Sequence, residues 1–152
     1  MLALLFLLLL WGLTLDVLHR KIPNIVILIG MFCGFTGSLY SSGGLDVTHA
    51  LLGMLVGFGL FIVPYSMSVL GAGDVKLLAM VGVFLGPGLT LVAAIYTLIV
   101  GGLVAICYAF HAGIMKHSLS NIVELKAGVY RMPYSIAISL GTFGAVCHQA
   151  LR

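Results

Sequence analysis

Two aspartates stand out because this chain contains almost no other acidic residues. The sequence of 152 residues has four acidic side chains, and Asp16 and Asp74 lie at the ends of long apolar runs. The other two have ordinary explanations, since Asp46 lies in a polar turn sequence and Glu124 lies two residues from Lys126 in a polar stretch. An ionisable group in or near a bilayer is costly and normally faces a bundle interior or a wet cavity. Asp16 and Asp74 are therefore the leading candidates for chemistry.

Two neighbouring carboxyl groups can perform acid–base chemistry that one alone cannot. Like charges at short range resist double ionisation, so one group tends to keep a shared proton. The ionised partner can then take a proton from water while the protonated partner polarises a carbonyl, as in aspartic proteolysis. A metal site is a poorer interpretation, because only His19 is near either aspartate in sequence and no CxxC pair exists. We expect no metal and no cofactor.

The amino-acid composition indicates that these carboxyl groups lie in a membrane-embedded protein. Hydrophobic residues make up 62% of the chain and charged residues 7%, whereas soluble domains carry about 25% charged residues. Such a surface suits lipid, in which helices satisfy every backbone polar group, and about 20 apolar residues cross the bilayer core. We therefore expect an all-α fold: one polytopic membrane domain, residues 1–152, built as a bundle of about six transmembrane helices. The predicted spans are residues 1–18, 24–40, 48–69, 74–85, 89–110 and 133–151.

The basic residues predict the orientation of the bundle and place both aspartates on one side. One side of the predicted bundle carries six basic residues, and the other carries only Arg152. By the positive-inside rule the termini lie outside, and Asp16 and Asp74 lie at the cytoplasmic ends of antiparallel helices. Residues 111–132 fit either an amphipathic helix on the cytoplasmic face or a polar connector. The small positive excess belongs to these loops, so we expect no nucleic-acid partner. The six basic residues are Arg20, Lys21, Lys76, Lys116, Lys126 and Arg131.

Glycines flank the second aspartate in the sequence "GAGDVK". Gly71 and Gly73 lack side chains, so we expect positive φ there and close approach of another segment. Asp74 then lies at a helix N-terminus, where free N–H groups stabilise negative charge. The span 74–85 covers only ~18 Å of a bilayer core that is about 30 Å thick. This shortfall predicts that Asp74 is recessed in a water-filled notch.

Three motifs in chain order resemble those of a known family. Asp16 followed by "HRKIPN", then "GAGDVKLLAM", then "RMPYSIAISLG", resembles the type IV prepilin peptidases, which are GxGD intramembrane aspartyl proteases like the presenilins. The resemblance covers nearly the whole chain. It implies that Asp16 and Asp74 form a catalytic dyad at the cytoplasmic face of the bacterial inner membrane. It also implies a substrate, a type IV prepilin or pseudopilin, whose basic leader is cut off just before its hydrophobic helix.

Several further positions match the family motifs and are candidate supporting residues. We expect Pro23 and Asn24 to fix the turn into the second helix, whereas Arg20 and Lys76 could equally act as anchors at lipid headgroups. The supporting set is Gly71, Gly73, Lys76, Arg20, Pro23, Asn24 and Pro133.

One departure from the family pattern bears on activity. Larger members carry an extra cytoplasmic segment between the first two spans, often with paired CxxC motifs, and also methylate the new N-terminus. Here only "HRKIP" separates those spans. The chain therefore resembles the short, peptidase-only enzymes of Flp-type (tight-adherence) pilus systems, and we expect no methyltransferase activity.

Two other classes of function remain open from the sequence. A small proton-coupled transporter or relay could use the same aspartates, although it should show acids at mid-membrane and an internal repeat. A structural assembly subunit could use Gly53, Gly57 and Gly101 to pack helices, but it would leave the two aspartates unexplained.

Overall fold

The structure, a computed structural model, describes residues 1–19, 22–42, 45–67, 70–111 and 134–151. Within these ranges the chain is helical and has no strands, which confirms the predicted all-α class. Three segments are long and apolar enough to cross a membrane, namely Leu2–His19, Val47–Ser66 and Ala72–Val104, and Asn24–Tyr40 is a shorter apolar helix. The helices are α1 (Leu2–His19), α2 (Asn24–Ser42), α3 (Leu45–Ser66), α4 (Ala72–His111) and α5 (Ser135–Ala150).

The outer surface of the bundle is apolar, as a lipid-facing surface should be. Leu10 is 63% exposed, Phe32 is 72% exposed and Phe143 is 57% exposed, and each lies on a different helix. A protein in water rarely exposes so much contiguous apolar area. The bundle is therefore consistent with a membrane-embedded protein.

Six predicted spans appear as five helices, because residues 74–85 and 89–110 both lie in α4. The break predicted at "GPG" is present as a kink at Gly86, whose φ of 73° and ψ of 175° are not helical, and it divides α4 into two helical segments. Pro87 restarts the helix directly afterwards, at a position where its missing N–H leaves no intrahelical bond unmade. The Thr90 hydroxyl donates to the Gly86 carbonyl oxygen at 2.6 Å, so the kink is stabilised without a loop.

Helices α3 and α4 cross closely at glycines. A β-carbon on Gly53 would overlap the carbonyl oxygen of Gly82, and one on Gly57 would overlap the carbonyl oxygen of Leu78. Since lipid tails are as apolar as leucine, such close packing is what associates membrane helices. The packing role predicted for Gly53 and Gly57 is confirmed.

The first half of α4 forms the centre of the bundle. Leu77, Leu78, Met80 and Val81 have no exposed surface, and they pack in one cluster with buried residues of the other four helices. The same segment carries Asp74 in its first turn. Burial of this segment on every side fixes the position of that carboxylate.

Candidate active site

Asp16 lies in the last turn and a half of α1 and is held by the start of α5. Its side chain is buried, with 8% of its surface exposed. The Ser135 hydroxyl, which is completely buried, donates to Asp16 Oδ2 at 2.5 Å. This length is at the short end of the range for O–H···O hydrogen bonds. The contact joins residues 119 positions apart, so it exists only once α1 and α5 pack together.

Asp74 is held by the turn that begins α4. The Gly71 N–H donates to Asp74 Oδ2 at 3.1 Å, while the Gly71 carbonyl oxygen accepts from the Asp74 N–H at 3.1 Å. A carboxylate in the first helical turn that reaches back to the N–H before the helix is half of a capping box. Like Asp16, Asp74 is 8% exposed. Asp74 is therefore fixed by its own backbone rather than by another helix.

The predicted positive φ at Gly71 and Gly73 is wrong. Among the glycines that the structure describes, Gly86 alone has positive φ. Gly71 does allow close approach, because a β-carbon there would lie 3.1 Å from Asp74 Oδ2. A β-carbon on Gly73 would make an ordinary van der Waals contact with Ile22, at 3.4 Å. The capping bond therefore accounts for a small residue at position 71.

The two carboxylates lie at the same end of the bundle. Asp16 lies near the end of α1, and Ile22, which follows that end by three residues, packs beside Gly73, the chain neighbour of Asp74. Tyr134, just before α5, belongs to the same region. It directly precedes Ser135, the partner of Asp16, and its ring fills the space left by Gly101 on α4. The packing role predicted for Gly101 is therefore confirmed.

The remaining predicted residues form a second, separate contact. Lys76 Nζ donates to Asn24 Oδ1 at 3.1 Å, and the Pro23 carbonyl oxygen accepts from the Val26 N–H at 3.2 Å, closing the first turn of α2. Residues two apart on a helix point about 200° apart. Lys76 therefore points away from Asp74 around α4, and its partner Asn24, at the start of α2, lies on that side of the helix.

Some of the predictions fall outside the described residues. Arg20 and Pro133 are among them, as is the predicted amphipathic or connecting segment after residue 111. Within the part of the chain that the structure describes, no group of three or more His, Cys, Asp or Glu side chains could hold a metal ion.

The arrangement of the two carboxylates can support proton transfer. Each uses Oδ2 for a bond within the protein, to Ser135 or to Gly71. Within the described residues the other oxygen of each has no such bond. Two buried carboxyl groups at one end of a bundle are suited to general acid–base chemistry.

Residues 3–106, which include both aspartates and more than half of the chain, match the Type IV leader peptidase family. The chain belongs to the type IV leader peptidase family. No curated protein and no solved structure matches it. The match confirms the resemblance found in the sequence motifs and makes this protein a leader peptidase of the membrane-embedded kind.

Ser135 is the site residue of this leader peptidase that the sequence analysis missed. It lies beyond the matched residues, in α5. A weak signal existed, since Ser135, Ser139 and Thr142 recur every three or four residues on one helix face. However, the hydroxyls of Ser139 and Thr142 donate to their own helix backbone. The pattern alone could not tell which hydroxyl reaches another helix.

Proposed function

We propose that this leader peptidase is an aspartic endopeptidase in which Asp16 and Asp74 form the catalytic dyad. Its substrate is a type IV prepilin or pseudopilin of the Flp type, cut at the cytoplasmic face of the inner membrane. The observation that supports this proposal is the placement of two buried carboxylates from separate helices at one end of the bundle, each anchored through one oxygen.

The chemistry needs one ionised and one protonated carboxyl group. The ionised group removes a proton from water, and the resulting hydroxide attacks the carbonyl carbon of the scissile peptide bond. The protonated group gives its proton to the carbonyl oxygen, so a neutral tetrahedral diol forms. The dyad then gives its proton to the amide nitrogen, while one diol hydroxyl returns its proton to the dyad as the carbonyl re-forms. The carbon–nitrogen bond breaks, the leader leaves as a carboxylic acid, and the dyad ends with one proton, as it began.

Charge and burial both favour a substrate of this class. A basic leader is attracted by a site whose acidic groups come from two helices, because a cleft lined by one sign of charge concentrates the opposite charge. The cleavage site directly precedes the apolar helix of the prepilin. That helix can stay in the lipid beside the exposed apolar surface of α1 and α5. The cytoplasmic position is supported by the six basic residues on that side of the predicted topology.

The first experiment tests the dyad. Prepilin cleavage is followed by mass shift after coexpression of the enzyme with each candidate single-span prepilin. Asp16→Asn and Asp74→Asn should each lower the cleavage rate by at least about 100-fold, since each removes a group needed for proton transfer. Asp46→Asn is the matched control, because it makes the same chemical change in the first turn of α3, on the other side of the predicted topology, and it should cleave normally.

Two outcomes would contradict parts of the proposal. An Asp16→Asn or Asp74→Asn enzyme that is inserted, folded and still cleaves at near the normal rate would refute the dyad. A mature product whose mass shows a methylated N-terminus would refute the peptidase-only assignment, which depends on the short "HRKIP" connection.

A further inference from the structure

A groove between α2, α3 and α4 lies on the side of α4 away from the two aspartates. Its volume is about 550 Å³, within the range of roughly 300–1,000 Å³ that is usual for small-molecule sites. Most of its wall is apolar and includes Ile27, Met31, Leu55 and Phe58. Leu55 is 55% exposed and Phe58 is 44% exposed, so the groove opens towards the surrounding lipid.

One end of the groove is polar and positively charged. Lys76 and Asn24 both line it, and Lys76 Nζ donates to Asn24 Oδ1 at 3.1 Å. An ammonium group has three donors, so two remain, and the Asn24 amide has two more. Within the described residues Lys76 makes no ion pair. Four donors and one positive charge therefore face the end of an otherwise apolar groove.

We propose that this groove binds one anionic phospholipid. The phosphate lies against Lys76 Nζ and the Asn24 amide, and an acyl chain runs along Ile27, Met31 and Phe58. Asn24 begins α2 and Lys76 is in the second turn of α4, so the polar end is at the bundle end where a headgroup lies. Charge complementarity selects an anion, and the apolar wall selects one with a hydrocarbon chain. This proposal does not depend on the proposed proteolytic mechanism.

A prepilin segment fits the groove less well for two reasons. A basic leader would be repelled by Lys76, which points about 200° away from Asp74 around the helix. Along α2 the groove runs from Asn24 to Met31, or about 10 Å. That length is only about two helical turns, so the groove would contact a small part of a membrane-spanning prepilin helix of about 20 residues.

The charge part of the proposal is tested by native mass spectrometry of the full-length protein in detergent. Dioleoyl phosphatidylglycerol and dioleoyl phosphatidylcholine differ in headgroup charge but not in chains. The unmodified protein should bind phosphatidylglycerol about fivefold more tightly, the effect of one basic residue on an anionic headgroup. Lys76→Gln should abolish this preference, and Lys76→Arg should keep it. Equal binding of the two lipids by the unmodified protein, or an unchanged preference in Lys76→Gln, would overturn the proposal.

The steric part is tested by a matched pair of substitutions on α3. Leu55→Trp enlarges a side chain that lines the groove, whereas Leu52→Trp enlarges one that is similarly exposed, at 50%, and does not line it. We expect Leu55→Trp to weaken binding of both lipids several-fold and Leu52→Trp to leave it unchanged. A photocrosslinker at position 55 should capture lipid in the cell membrane. Capture of a coexpressed prepilin at that position would overturn the proposal in favour of a peptide site.

Discussion

Replacing Ser135 with alanine removes the one hydroxyl that the described residues donate to Asp16. The bond is short, at 2.5 Å, and Ser135 has no exposed surface, so water cannot easily replace the lost donor. A hydrogen bond to a charged group contributes about 1.5–3 kcal/mol. If that bond positions Asp16 for the reaction, its loss should lower kcat about 10- to 150-fold, at about 1.36 kcal/mol per tenfold.

The assay is leader cleavage by purified enzyme in detergent, with kcat and KM measured separately. Ser135 acts on Asp16 rather than on the substrate, so KM should stay nearly constant while kcat falls. Ser135→Thr keeps a hydroxyl and should recover most of the rate. Thermal unfolding of each variant shows whether the protein is still folded.

Ser139→Ala is the matched control on the same helix. Its hydroxyl is half-buried and donates at 2.9 Å to the backbone oxygen of Ser135, so its loss leaves the bond to Asp16 unchanged. Its kcat should remain within about twofold of normal, because substitutions away from such contacts have small effects. A folded Ser135→Ala enzyme with normal kcat would refute the positioning role. Equal losses in both variants would refute it as well, because the effect would then belong to α5 in general.

The two remaining predictions concern glycines in α4 and use thermal unfolding. Gly82→Ala places a methyl group on the Gly53 backbone and should destabilise the bundle by about 1–3 kcal/mol through overpacking, whereas Gly102→Ala, with nothing within 4 Å, should be neutral or slightly stabilising. Equal unfolding temperatures for these two variants would contradict the close α3–α4 crossing. Gly86→Ala should cost about 1–3 kcal/mol, because φ is 73° and the new methyl would lie 3.1 Å from His49 Nδ1; normal stability there would mean that the kink relaxes into a straight helix.

Most of the helical framework could be predicted from apolar run length and polar breaks. The predicted spans 1–18 and 24–40 correspond closely to Leu2–His19 and Asn24–Ser42, because lipid leaves the backbone few alternatives to a helix. The break at Gly86 could be predicted from "GPG", but the sequence could not tell whether it would be a kink between two helical segments or a longer loop. Which one forms depends on whether neighbouring contacts, here the Thr90 hydroxyl, satisfy the backbone at the break.

Only the charged residues of the candidate site could be predicted from the sequence. Burying an aspartate in a membrane costs free energy, so such a residue needs an explanation. Asp16 and Asp74 could therefore be selected before any contact was known. A serine is inexpensive in a membrane helix because it can bond its own backbone, as Ser139 does. Ser135 therefore becomes recognisable only from the packing of α5 against α1, which is tertiary information. For Gly71 and Gly73 the sequence indicated small size but not whether φ or space required it.

The first two turns of α4 carry two opposite charges that point to different sides of the helix. Asp74 and Lys76 are two residues apart, so the helix directs the carboxylate to the α1–α5 side and the ammonium to the α2–α3 side. Placed side by side they would pair, and a paired carboxylate would remain ionised and could not share a proton with Asp16. Gly73 lies between them and packs against Ile22, which opposes rotation of this turn about its axis. The separation of the acidic site from the cationic groove is therefore a consequence of helix geometry, and the proposed dyad requires it.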